Sequence, residues 1–172
     1  MESRAKLLGH PIHPMLIPFP LGLLGTAVLF DLIDLIGGGW YSLSRAAFYM
    51  IAAGIIAGLL AAVFGAIDWF VIPSDTRAKR IATLHGLGNV VIVVLFAIAW
   101  LVRNDDPPKD ASGLPIVLEV IGLLLALVTG WLGGELVDRL GMGVDPGANL
   151  NSPSSLSDLP AREGVTTIRS VP

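Results

Sequence analysis

Three imidazoles and a small set of carboxylates define the chemistry open to this chain. Imidazole and carboxylate together are the usual ligands for zinc, iron or manganese, and they are also the parts of a proton relay. His10 and His13 lie in the run Gly9-His10-Pro11-Ile12-His13-Pro14, and His85 stands with Asn89 at i, i+4, where Gly86 and Gly88 leave room. His10, His13 and His85 are therefore the candidate ligands for a transition metal or haem, with Asp68, Asn89 and Glu135 as the polar groups around them. A proline disfavours helix in the residue before it, so His10 and His13 are both expected to be extended, with Pro14 opening a helix that His13 caps. In a polyproline-like run both rings would share a face but stand roughly 9 Å apart, too far for one ion without a turn. The alternative is structural: His85 bonds a carbonyl of a neighbouring helix, and the N-terminal histidines stiffen the approach to the first span.

A second group is Asp31 with Asp34, at i, i+3, and Glu119. Asp34 is expected at the membrane interface. Asp31 and Glu119 are expected deeper and unpaired, an arrangement that calls for a bound cation or a shared proton. Two such groups also suggest a path for protons or ions, but no continuous polar stripe joins them. Other chemistries are excluded outright. Without cysteine there is no disulfide, thiolate metal site or cysteine nucleophile. No GxSxG, phosphate-binding loop, dinucleotide fingerprint or HExxH occurs, so no soluble-enzyme signature is present. A net charge of -3 and a pI near 5.5 supply no basic surface for nucleic acid.

The elements that must position these groups are membrane helices. Hydrophobic residues make up 53% of the chain and charged ones 15%, with a mean hydropathy of +0.74. The apolar residues come in blocks at about 17–36, 46–72, 81–102 and 114–137, each long enough to cross a hydrocarbon core about 30 Å thick. Short connections make successive helices antiparallel, so the expected fold is all-α, a four-helix up-down-up-down transmembrane bundle over 17–138. Residues 1–16 form an N-terminal segment, and 139–172, rich in Gly, Pro, Ser and Asn, a flexible tail. The basic N-terminus resembles a signal peptide, but the apolar stretch behind it is too long and lacks a small-x-small cleavage site, so it reads as a retained helix.

With an even number of spans, Arg4, Lys6, Arg77, Lys79, Arg80 and Arg139 fall on one side, against Arg45, Arg103 and Lys109 on the other. That bias predicts an inner-membrane protein with both termini in the cytoplasm. Trp40 and Trp100 are expected in an outer interfacial belt, Trp69 and Trp131 in an inner one. Gly22 and Gly25, Gly54 and Gly58, Gly86, and Gly130 and Gly134 mark places where helices can approach closely, within the chain or in a homodimer. No repeat is evident, although the two halves could be related hairpins.

The segments His10-Pro11-Ile12-His13-Pro14, Pro18-Phe19-Pro20-Leu21-Gly22, Asp31, Leu84-His85-Gly86 with Asn89, Gly133-Gly134-Glu135-Leu136-Val137 and Gly141-Met142-Gly143-Val144 together resemble bacterial membrane proteins grouped as domain of unknown function 2231. The resemblance covers about residues 7–145 and implies a four-helix membrane domain without assigning an activity. Relatives often end the last segment with aromatic-Arg-His-Gly, where this chain has Asp138-Arg139-Leu140-Gly141, so a histidine available there to relatives is missing. Links of relatives to electron-transfer modules imply a redox role and a redox partner protein. The two readings carried forward are an electron-transfer protein with a metal or haem at the cytoplasmic side, and a non-catalytic membrane subunit or scaffold.

Overall fold

A computed structural model describes residues 1–37, 41–103, 111–157 and 159–164. Two short strands, β1 (Lys6–Leu7) and β2 (His10–Pro11), pair antiparallel at the N-terminus. Leu8 and Gly9 between them both have positive φ, 51° and 84°, the conformation a two-residue hairpin turn needs.

The first span has two parts, α1 (Ile12–Leu16) and α2 (Pro18–Gly37). Pro18 and Pro20 bring no N–H to the ladder, so the helix breaks at Ile17 and resumes with its prolines in the first turn, where none is needed. His13 differs from its expectation. It is helical, inside α1, and the extended N-cap is Pro11; Pro14 falls in the first turn of α1, where its missing N–H costs nothing. The remaining spans are α3 (Tyr41–Val71), α4 (Arg77–Val102) and α5 (Leu114–Gly134), the last continued by a wide π turn over Glu135–Arg139. α3 and α4 begin earlier than the apolar blocks alone suggest. Polar residues extend them, and Thr76 caps α4 by accepting the Lys79 N–H at 3.1 Å.

α2 packs along α3 and α4 along α5, while contacts between α3 and α4 and between α2 and α5 close the four into a bundle. Four helices are long and apolar enough to span a bilayer. The core is thin: Leu24, Ala27, Val28, Ala47, Ile51, Ile92 and Phe96 meet in the middle. Large apolar side chains such as Leu29, Ile56, Leu87, Leu127 and Trp131 face outward. In water such a surface would aggregate; against lipid it is the surface a helix requires.

Glycine does pack helices here, but not at every expected position. A Cβ at Gly54 would stand 2.6 Å from Leu24, and one at Gly122 2.7 Å from Phe96, so α3 and α5 approach their partners at these points. Gly58 lies against Val93 and Pro20. Gly22, Gly86, Gly130 and Gly134 meet nothing within 4 Å, and Gly25 only touches Leu123.

The N-terminus and the segment that follows the last span lie at one end of the bundle and are tied together there. The N-terminal ammonium donates to Gly141 O at 2.9 Å, Gly143 N–H donates to Met1 O at 2.8 Å, and Lys6 Nζ bridges Glu2 and Asp145 at 2.8 and 2.6 Å. Gly141, with φ 62°, ends the last helix as only glycine does without strain.

Candidate functional site

Of the expected ligands, the structure brings two together. His13 on α1 and His85 on α4 stand with ring centroids 6.3 Å apart and planes at 87°. Each ring is fixed by the next helix of its own hairpin: His13 Nδ1 lies 2.8 Å from Ala61 O on α3, His85 Nδ1 2.8 Å from Thr129 O on α5. A carbonyl only accepts, so both Nδ1 atoms carry the hydrogen. In the neutral ring that leaves Nε2 as the acceptor, the atom through which histidines so oriented bind metals; at His85 it faces Asn89 Nδ2 at 3.3 Å. Glycines seat both rings. A Cβ at Gly65 would stand 2.9 Å from the His13 ring and one at Gly133 3.2 Å from that of His85. Asn89, one turn on from His85, donates from Nδ2 to His85 O at 2.8 Å and lies 3.3 Å from His85 Nε2.

His10 does not join them. The hairpin turn that follows Leu7 carries it to the tail, where its Nε2 lies 3.1 Å from Ser155 Oγ. The two carboxylates expected beside the imidazoles are also committed elsewhere. Asp68 accepts from Ser3 Oγ at 2.9 and 2.7 Å and from Arg4 N–H at 2.7 Å, so it anchors the N-terminal segment. Glu135 pairs with Arg77 at 2.6 Å across the start of α4. Among the described residues no group of three or more His, Cys, Asp or Glu is placed to hold a metal ion. The expected His-carboxylate cluster is therefore corrected to an imidazole pair with Asn89 alongside.

The second polar centre lies at the other end of the bundle and is a larger correction. Asp31 and Glu119 are not unpaired acids, and Arg103 is not an exposed loop residue. Arg103 and Glu119 are 0% exposed and Asp31 1%. Arg103 Nη1 donates to Asp31 Oδ2 at 2.7 Å and to Glu119 Oε1 at 2.9 Å; Nη2 donates to Asp31 Oδ1 at 3.1 Å and to Ser44 O and Oγ at 2.9 and 3.0 Å. The planar fork lets one cation serve two acids and a carbonyl together, with a bidentate geometry that a lysine ammonium lacks. Sequence reasoning placed Arg103 in the loop because it ends an apolar block. Arg103 is the C-cap of α4, and its acceptors come from three other helices, so no local pattern marks it as buried. Asp34 is buried against the protein, and among the described residues neither its Oδ1 nor Glu119 Oε2 has a hydrogen-bond partner.

The buried α2 and α4 residues between the two centres are apolar: Leu24, Ala27 and Val28, and Ile92, Phe96 and Ala99. A proton or ion path from one centre to the other finds no polar step there. Of the tryptophans, Trp131 is exposed and Trp69 donates to Thr83 Oγ1 at 2.9 Å under the Lys79 ammonium. Trp100, in the last turn of α4, stacks on Phe48, and its buried N–H has no partner among the described residues. Trp40 and Lys109 lie outside the described residues.

A four-helix membrane bundle with a seated imidazole pair at one end and a buried arginine-carboxylate centre at the other is the class this chain defines. Residues 9–146, most of its length, match the DUF2231 family, described as predicted membrane protein, and the chain belongs to that family. No curated protein and no solved structure matches it.

Proposed function

We propose that the protein is an electron-transfer subunit of the cell inner membrane, both termini cytoplasmic, which binds a transition metal or haem iron through His13 and His85. The observation that carries this reading is the imidazole pair itself: two rings from different helices, each with Nδ1–H committed to a carbonyl, so that Nε2 is the ligating atom once the long 3.3 Å contact of Asn89 with His85 Nε2 gives way. Iron and copper both accept imidazole and change oxidation state by one electron, which is what the bound group would supply. The basic residues support the orientation. With Arg103 folded inward, Arg45 is the one accessible cation at the far end among the described residues, against Arg4, Lys6, Arg77, Lys79, Arg80 and Arg139 at the other. A redox partner protein then docks at the cytoplasmic end, within reach of the imidazoles.

One observation favours a second reading, a non-catalytic scaffold: each imidazole already makes a hydrogen bond that ties two helices together. Elemental analysis and a visible spectrum of detergent-purified protein separate the two. The redox reading expects stoichiometric metal or a Soret band, lost in His85→Ala. The scaffold reading expects colourless, metal-free protein in which His85→Ala lowers only the melting temperature.

A further inference from the structure

The imidazole pair is one of several contacts that occur twice in this chain. His13 and His85 are 72 positions apart, the separation of Asp31 and Arg103, and the buried pairs Pro20 and Ile92, Leu24 and Phe96, and Ala27 and Ala99 share it. The second helices of the two hairpins follow their own constant offset, 68, as with 129 against 61 and 133 against 65. At that offset Ala47 matches Pro115, Phe48 matches Ile116, Ile51 matches Glu119 and Gly54 matches Gly122, all buried.

The contacts repeat as well as the positions. Leu24 covers Gly54 as Phe96 covers Gly122. His13 bonds Ala61 O and lies on Gly65 as His85 bonds Thr129 O and lies on Gly133. A glycine one turn beyond a carbonyl that accepts from an imidazole is a built seat, and the fold builds it twice. α2 and α4 enter from the same end, so the two hairpins are parallel repeats about an approximate two-fold axis along the membrane normal. Positions related by that axis and in contact with each other lie on it. His13 and His85 meet this condition at one end, Asp31 and Arg103 at the other.

From this symmetry we infer that His13 and His85 form a two-coordinate site on the axis for a single monovalent copper ion, held between their Nε2 atoms; the inference rests on the proposed metal-binding role of the pair. One ion with a metal-nitrogen distance of about 2 Å on each side separates two imidazole centroids by roughly 6 Å, and the rings stand at 6.3 Å. The donor set then selects the ion. Zinc takes four ligands and divalent copper or nickel a tetragonal set, whereas no third histidine or acid joins this pair among the described residues. Without a carboxylate, a singly charged ion is also the cheapest to hold in a low-dielectric site. Asn89 Nδ2 yields its long 3.3 Å contact with His85 Nε2 and keeps its 2.8 Å bond to His85 O.

The test is titration of the purified full chain with monovalent copper under reductant, against a chromogenic copper chelator, with silver as a redox-inert probe. One equivalent should bind. His13→Asn and His85→Asn, which keep a donor at the Nδ1 position but have no Nε2, should each abolish it equally while the melting temperature holds. Gly65→Ala and Gly133→Ala should weaken binding alike, by roughly 10- to 100-fold, as perturbed outer-shell contacts do. Binding that survives either histidine change overturns the axial site. A Soret band after haem addition, with no copper or silver uptake, overturns the two-coordinate ion but leaves the imidazole pair as a metal site. Uptake of neither ion nor haem overturns both.

Discussion

At the residue scale the largest free energies sit at Arg103. A guanidinium removed from water is tolerated because Asp31, Glu119 and Ser44 supply acceptors on every side described. Deleting it strands two buried acids, and breaking a buried pair by removing one partner costs about 3–5 kcal/mol. Arg103→Met should therefore lower thermal stability in detergent by that order. Arg103→Lys should recover only part of it, because a single ammonium cannot span Asp31 and the Ser44 carbonyl with the same geometry. Melting curves of the two variants check both statements; a wild-type-like Arg103→Met would mean that the centre is hydrated.

At the element scale glycine decides how closely helices pack, and the effect is local. Gly122→Ala drives a methyl into the Phe96 ring and Gly54→Ala one into Leu24. Overpacking of this kind costs about 1–3 kcal/mol. Gly130→Ala should change stability by less than about 0.5 kcal/mol, because open space lies beyond it. The sequence identified the Gly54 and Gly58 pair and the Gly130 and Gly134 pair by the same spacing, yet only the first packs within the chain. Spacing fixes which residues share a helix face, and it says nothing about which way that face turns. Thermal unfolding of the three alanine variants compares them directly.

For the whole molecule, the N-terminal segment and the residues after the last span form a clasp over the cytoplasmic end of the proposed topology. The tail, expected to be mobile, is tied at Gly141, Gly143, Asp145 and Ser155. Hydrogen bonds to Asp145 and then to Glu2 hold the Lys6 ammonium above its ordinary pKa, against the smaller opposing effect of burial. A cation whose pKa is raised on folding contributes fully below its unfolded value of about 10.4 and loses that contribution as pH rises through the folded value. The Lys6 link should thus hold through neutral pH and loosen only in strong alkali. Lys6→Met should release it at pH 7, seen as faster limited proteolysis beyond residue 145 with no change in the helices. Equal cleavage rates in variant and wild type would mean that the other ties suffice.

Composition and block length alone determined that the chain spans the membrane four times, because a bilayer sets the number of consecutive apolar residues and the backbone must satisfy itself within each span. They also singled out His10, His13 and His85 as candidates, since an ionisable group beside or within an apolar block stands out whatever surrounds it. Only the tertiary structure decided which polar residues meet. His10, Asp68 and Glu135 have the right chemistry at the right end of the bundle, but a two-residue turn, a serine and an arginine take them elsewhere. Arg103 looked like a loop residue until a second helix and a third brought it two acids. Partner choice depends on helix rotation and crossing, which arise from packing between segments dozens of residues apart, and no local pattern encodes that.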